Sequence, residues 1–215
     1  MRYSITYVLH APVLPCHPTG FRPPGAERTG ISSNAGTSSR TGRAGRQPGE
    51  GGGIVGAVHA VERVRAALGR VGVNIEIREF AESTRTAQEA ADAVGTSVGQ
   101  IVKSLVFVAG GNPVLVLVSG ANRADTGKLE ALLGAPVERA DPATVREATG
   151  FAIGGVPPVG HPSSLPTLVD EDLLQYETVY AAAGTPNSMF AIAPRELVRI
   201  TGGRVVDVAR RPVSG

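Results

Sequence analysis

Apolar residues recur at Val58, Val61, Val64, Leu68 and Val71. These steps of three and four predict an amphipathic helix, which Gly69 and Gly72 help to end. The period then drops to two across VNIEIREF, where Val73, Ile75 and Ile77 share one face of a half-buried strand. TAQEAADAVG returns to a helical pattern, with Thr86 and Glu89 at capping-box spacing. QIVKSLVFVAG and NPVLVLVSG predict two apolar strands with a Gly-Asn-Pro turn between them. ADTGKLEALLG and ADPATVREATG predict two short helices, the second capped by Asp141 with Pro142 at its first position. PTLVD reads as a strand and DEDLLQY as a helical turn. ETVYAAA and SMFAIA form a hairpin across GTPN. PRELVRITGG is a helix opening at Pro194, and RVVDVA a last strand. Helices interleaved with short strands, some joined as hairpins, predict an α/β domain with a mixed sheet covered by helices. Its length, roughly 160 residues, suits one core.

Composition separates the N-terminal segment from this pattern. Residues 20–53 are dominated by Gly, Ser, Pro, Thr and Arg, with almost nothing to bury, so residues 1–56 are expected to be a disordered tail and 57–215 the domain. Charge divides at the same place. Residues 1–53 carry six Arg and two Glu; taking these from the 21 basic and 19 acidic residues leaves 15 and 17 for the rest. The domain is therefore slightly acidic and shows no strongly basic face for long nucleic acid, so no DNA partner is expected. No apolar run approaches the ~18 residues of a membrane span, and the N-terminus is a poor signal peptide. A cytoplasmic protein without a membrane partner is expected.

The available chemistry is narrow. Cys16 is the only cysteine, and His10 and His17 share the tail with it. His59 sits near the start of the first helix, and only His161 lies by an unusual loop. No histidine pair stands at metal-ligand spacing, and no nucleophile elbow or phosphate-binding loop occurs, so no metal or cofactor is expected. Two features stand out. Lys103 lies within an apolar strand, where alternation can turn it to solvent or place it at a pocket floor holding a phosphate or carboxylate-like oxygen. GFAIGGVPPVGHP then joins a flexible Gly154–Gly155 step to the stiff Pro157–Pro158. Such a step can aim successive N–H groups at an anion or a polarised carbonyl, or it can be only a rigid turn.

The order QIVKSLVF, VLVLVSGANRADTGKL, GFAIGGVPPVGH and AAAGTPNSMFAIAPRELVRITGGRVVDV resembles the YbaK and prolyl-tRNA synthetase-associated domain family, over about residues 58 to 209. The resemblance implies a single domain with a curved mixed sheet and flanking helices. It implies a free-standing hydrolase that cleaves the aminoacyl ester at the 3′ end of mischarged tRNA by water attack, with an aminoacyl-tRNA synthetase as a further partner. The alternative is a module of the same fold that binds aminoacyl-tRNA or a small ligand without turnover. The family's lysine matches Lys103 and its G-x-x-x-P loop matches Gly154 to Pro158, so Lys103, Gly154 and Gly155 are the implied catalytic groups. Asn122, Arg123, Asp125, Val156, Pro158, His161, Gly184 and Thr185 are the implied substrate contacts. Asp125 reads equally as a helix cap, Gly184–Thr185 as part of a hairpin turn, and His161 as a structural or rim histidine or as an imidazole that moves protons. Val156 is aliphatic, so no polar side chain acts from that position.

Overall fold

A computed structural model describes residues 52–81, 84 and 86–210, with side chains from residue 56 onward. The expected tail over residues 1–51 lies outside the described residues. The helix α1 spans Gly52–Arg70, so it begins before the expected boundary at 57. Its interior Val61, Val64, Ala67 and Leu68 are buried, whereas Val58 and Val71, at the ends of the predicted stripe, are exposed.

The chain continues through β1 (Ile77–Glu79), α2 (Ala87–Val94), β2 (Ile101–Ala109), β3 (Asn112–Ser119) and α3 (Thr126–Leu133). Then follow β4 (Val137–Arg139), α4 (Pro142–Thr149), β5 (Thr167–Asp170), β6 (Val179–Ala182), β7 (Ser188–Ile192), α5 (Pro194–Thr201) and β8 (Arg204–Val206). The caps follow the sequence. Thr86 and Glu89 close a reciprocal capping box on α2, and Asp141 accepts the Thr144 N–H at 2.8 Å to start α4. The predicted VNIEIREF strand shrinks to three residues. The β2–β3 turn falls on Gly110 and Gly111, both at positive φ, and not on Gly-Asn-Pro.

These strands make an open mixed sheet in the order β1-β7-β6-β2-β3-β5-β8, with β4 also paired to β2. β2–β3, β6–β7, β1–β7 and β2–β4 are antiparallel; β2–β6, β3–β5 and β5–β8 are parallel. Alternation along β2 and β3 divides their side chains between two cores. Val102, Val106, Leu115 and Leu117 pack with Val64 and Leu68 of α1, Val145 of α4 and Leu197 of α5. Phe107, Val114, Val116 and Val118 pack with Leu129 of α3 and Val208. Helix α2 covers a third cluster, with Ala90 and Ala91 against Ile101 and Met189. Among the described residues no helix is long and apolar enough to cross a membrane.

Candidate active site

The edge of β2 that faces away from β3 is shared by two strands. β6 pairs with Ile101 and Val102, while β4 pairs with Phe107 to Ala109. Between them the sheet is open, and a cavity of about 350 Å³ sits at the opening. Residues 101 to 106 of β2 line it, with Arg139 and Ala140 at the end of β4, Val145 of α4, and Tyr180 and Ala182 of β6. Ile153, Gly154 and Val156 of the glycine-rich loop, Thr185, Ser188 and Met189 of the β6–β7 hairpin, Thr84 and Thr86, and Ala87 and Ala90 of α2 complete the described wall. Lys103 and Gly154 therefore border one cavity. They reach it differently. Lys103 shares its strand face with Leu105 and Phe107, whereas Val156 packs with the core on the other face. Both residues are nonetheless among those that line the cavity.

The Lys103 amine is half-buried and donates to the Gly120 carbonyl at 3.1 Å and to the Asn122 carbonyl. Burial foremost holds its pKa below the ordinary 10.5, with Arg123 and Arg139 adding to the effect and Asp170 opposing it. Asp170 is fully buried. It accepts from the Ser119 N–H at 3.1 Å, the Asn122 side-chain amide at 2.8 Å and the Asp172 N–H at 3.2 Å. Asn122 thus ties the end of β3 to the end of β5 and presents its carbonyl to Lys103. Gly120 completes this corner, because a Cβ there would lie 2.0 Å from the Val98 carbonyl oxygen.

The glycine-rich loop is built by close approach. Gly154 has φ +91°, a conformation that favours glycine. A Cβ on Gly155 would lie 2.8 Å from the Thr185 backbone, so the loop is seated directly on the hairpin. The Gly155 N–H donates to the Ala152 carbonyl at 3.1 Å and closes a turn. It is thereby committed within the loop. Among the described residues the Gly154 N–H has no hydrogen-bond partner, and Gly154 alone of the pair borders the cavity.

Val156 and Thr185 also line the cavity, the Thr185 hydroxyl standing 2.6 Å from Ser188 Oγ and 2.9 Å from Asn187 Oδ1. Asn122, Arg123, Asp125, Pro158, His161 and Gly184 do not line it. Asp125 caps α3 by accepting the Lys128 N–H at 3.2 Å. Arg123 is exposed, and its carbonyl takes the Arg210 N–H at 2.7 Å. Gly184 has φ +104°, and a Cβ there would lie 2.9 Å from the Ala60 carbonyl oxygen, so it lets the hairpin pack on α1. Ser104, Arg139, Tyr180 and Ser188 border the cavity without having stood out in the sequence. Ser104 adjoins Lys103, but nothing local shows that the strand edge is open there. Among the described residues no group of His, Cys, Asp and Glu is placed to hold a metal ion.

His161 supports the loop from behind. Its Nε2 lies 2.9 Å from the Pro157 carbonyl, and its ring meets Phe151 edge-on at 6.2 Å. The Arg63 guanidinium lies 3.8 Å from the centre of the Phe151 ring and donates to the Gly150 carbonyl at 2.7 Å. Burial first, and Arg63 further, hold the His161 pKa below its ordinary 6.5, against the Pro157 hydrogen bond. An imidazole whose folded pKa is depressed binds its proton more readily in the unfolded chain. The contribution of His161 to stability is therefore expected to be fully present above pH 6.5 and to be lost as pH drops below it. Melting temperatures from pH 8 to 5 should show this acid-side decline in the wild type and a weaker one in His161→Gln; equal declines would assign it elsewhere.

A family model described as an aminoacyl-tRNA editing domain matches residues 81–200, which contain every described residue of the cavity wall. An uncharacterized protein of Bacillus subtilis (strain 168), YwhH, is 33% identical over 137 residues, 63% of this chain and 87% of its own. A candidate Cys-tRNA(Pro)/Cys-tRNA(Cys) deacylase of Enterococcus faecalis, EbsC, is 30% identical over 139 residues, 62% of this chain and 84% of its own. A solved structure of a candidate trans-editing enzyme for prolyl tRNA synthetase is 53% identical, with a TM-score of 0.69 over 71% of this chain and 98% of that one. The family model and these relatives agree with the resemblance seen in the sequence, and the chain belongs to the aminoacyl-tRNA editing domain family.

Proposed function

We propose that the protein hydrolyses the ester between an amino acid and the 3′-terminal adenosine of mischarged tRNA. The observation that carries this reading is that Lys103 and Gly154 border one cavity in a chain of the editing family. Water adds to the ester carbonyl carbon, the bond to the ribose oxygen breaks, and that oxygen leaves with a proton as the free amino acid departs. The Gly154 N–H is the donor for the carbonyl oxygen as it gains charge; one such donor is worth about 3 kcal/mol. Lys103, with its amine anchored on two carbonyls, fixes the substrate's position. The described wall has Ser, Thr and Tyr hydroxyls but no His, Asp or Glu. On this reading a group of the substrate, the ribose 2′-OH, serves the proton transfer. Arg139 at the wall offers a cation to the phosphate of the terminal nucleotide. The Val145 and Val156 side chains give the pocket an aliphatic side, where discrimination is mainly steric. A synthetase that supplies the mischarged tRNA is the partner this reading implies.

A second reading, binding without turnover, draws support from the Lys103 amine having both its acceptors within the protein. A panel of correctly charged and mischarged tRNAs separates the two. Deacylation above the spontaneous rate on at least one mischarged tRNA is expected. Saturable binding of aminoacyl-tRNA with no such acceleration would establish the second reading.

A further inference from the structure

Two independent features meet at Ser104. Its Oγ is the only buried side-chain nitrogen or oxygen among the described residues with no hydrogen-bond partner. Native interiors leave few such groups, and each calls for an explanation. The second feature is the backbone. The Gly120 N–H donates to the Ile101 carbonyl at 2.7 Å, which sets the phase of the β2–β3 ladder. Odd-numbered residues of β2 exchange hydrogen bonds with β3, and even-numbered ones turn their N–H and C=O to the opposite edge. There Val102 meets β6, Val108 meets β4, and the Val106 carbonyl accepts the Ala140 N–H at 3.1 Å. Ser104 falls between these pairings and opens onto the cavity.

We propose that the aminoacyl group binds as a one-residue strand against Ser104, filling the gap between β6 and β4. Its α-amine donates to the Ser104 carbonyl, and its ester carbonyl accepts from the Ser104 N–H. An antiparallel hydrogen-bonded pair exchanges these two bonds between opposed residues, and an amino acid ester carries the same donor and acceptor. Side chains of opposed residues share a face. Ser104 alternates with Val102 and Val106, whose core includes Val145 and Val156. The amino acid side chain therefore lies on the same side as Ser104 Oγ, in the aliphatic part of the cavity. The hydroxyl supplies a partner for a polar atom there. Main-chain pairing recognises any L-amino acid, and the pocket beside Oγ then sorts side chains.

This pairing rests on the deacylase reading, and its test separates the two. The rate on an aminoacyl-tRNA that the protein hydrolyses is compared with that on the same tRNA whose acyl group carries hydrogen in place of the α-amine. Each rate is divided by the spontaneous hydrolysis of the same ester. Losing the amine should lower the corrected kcat/KM at least about tenfold, because the Ser104 carbonyl is left unpaired. Ser104→Ala keeps the backbone groups and should retain that discrimination. It should melt no lower than wild type, since it deletes an unpartnered hydroxyl. Ser104→Pro deletes an N–H that β3 does not use and should lose turnover on both esters. Should the proline variant misfold, the comparison of the two esters on unaltered protein still decides. Equal corrected rates would overturn the pairing alone. A Ser104→Ala variant that melts several degrees lower would overturn the role of Oγ. Absence of turnover on every ester would overturn the deacylase reading and this pairing with it.

Discussion

Lys103→Met is expected to lower kcat for deacylation by about a hundredfold, the loss typical when a group that fixes reacting geometry is removed. Methionine preserves the length and the apolar stem but offers no donor to the Gly120 and Asn122 carbonyls. Two half-buried acceptors then lose a charged partner. A cost of about 1–3 kcal/mol in stability accompanies the kinetic loss. Steady-state kinetics well below the lowered melting temperature keep the two effects apart. Lys103→Arg restores the charge but not the compact ammonium that fits between the two carbonyls, so only partial recovery is expected. The same amine gives a pH signature. Its pKa lies below 10.5, chiefly through burial, and on the proposed mechanism it is the protonated form that would hold substrate. Turnover corrected for spontaneous hydrolysis should decline on the alkaline side before an ordinary lysine would titrate, and this limb should be absent in Lys103→Met. Unchanged kcat in the methionine variant would remove Lys103 from the machinery.

The parts of the fold that are read locally were legible in the sequence. Thr86, Asp125 and Asp141 cap their helices because a cap needs only its own side chain and an N–H three residues on. Lys103 and the Gly154–Val156 segment were legible as motifs. What escaped was whatever depends on distant partners. β4 has three residues, too few for alternation to show. Pro113 looked like a turn residue, yet it belongs to β3 opposite Val108. The ladder's phase turns its missing N–H away from β2, so no hydrogen bond is lost there. The gap at Ser104 arises only where β6 and β4, each far along the chain, stop short of each other on one strand edge. Gly155 was open to two readings, an amide presented to a ligand or a rigid turn, and what no local pattern showed is that its lack of a side chain serves packing against Thr185.

That distinction yields the second large effect. Gly155→Ala should destabilise the protein and nearly abolish turnover, whereas Gly154→Ala should do less to stability. No positive φ is imposed on Gly155, so the obstacle is space alone. Its Cβ would meet the Thr185 carbonyl carbon and Cα, both at 2.8 Å. These are backbone atoms of a hairpin held by the β6–β7 ladder, and they cannot rotate away as a side-chain tip would. Either the loop or the hairpin must move, which costs about 1–3 kcal/mol for an overpacked site. At roughly 2–4 °C per kcal/mol for a domain of this size, the melting temperature should fall by about 2–12 °C. The kinetic cost is larger, because both displaced segments belong to the cavity wall. Gly154 and Val156 lie on one and Thr185 on the other. A displacement of about 1 Å at a reacting centre is enough for a hundredfold loss. Gly154→Ala meets only Pro186 Cγ, at 4.0 Å, and bears the strain of φ +91°. That strain is about 1–2 kcal/mol, without a collision. Thermal unfolding and deacylation measured on the two variants should thus rank Gly155→Ala as the more damaging in both. The reverse ranking would mean that the loop is held by its turn conformation and not by its seat on the hairpin.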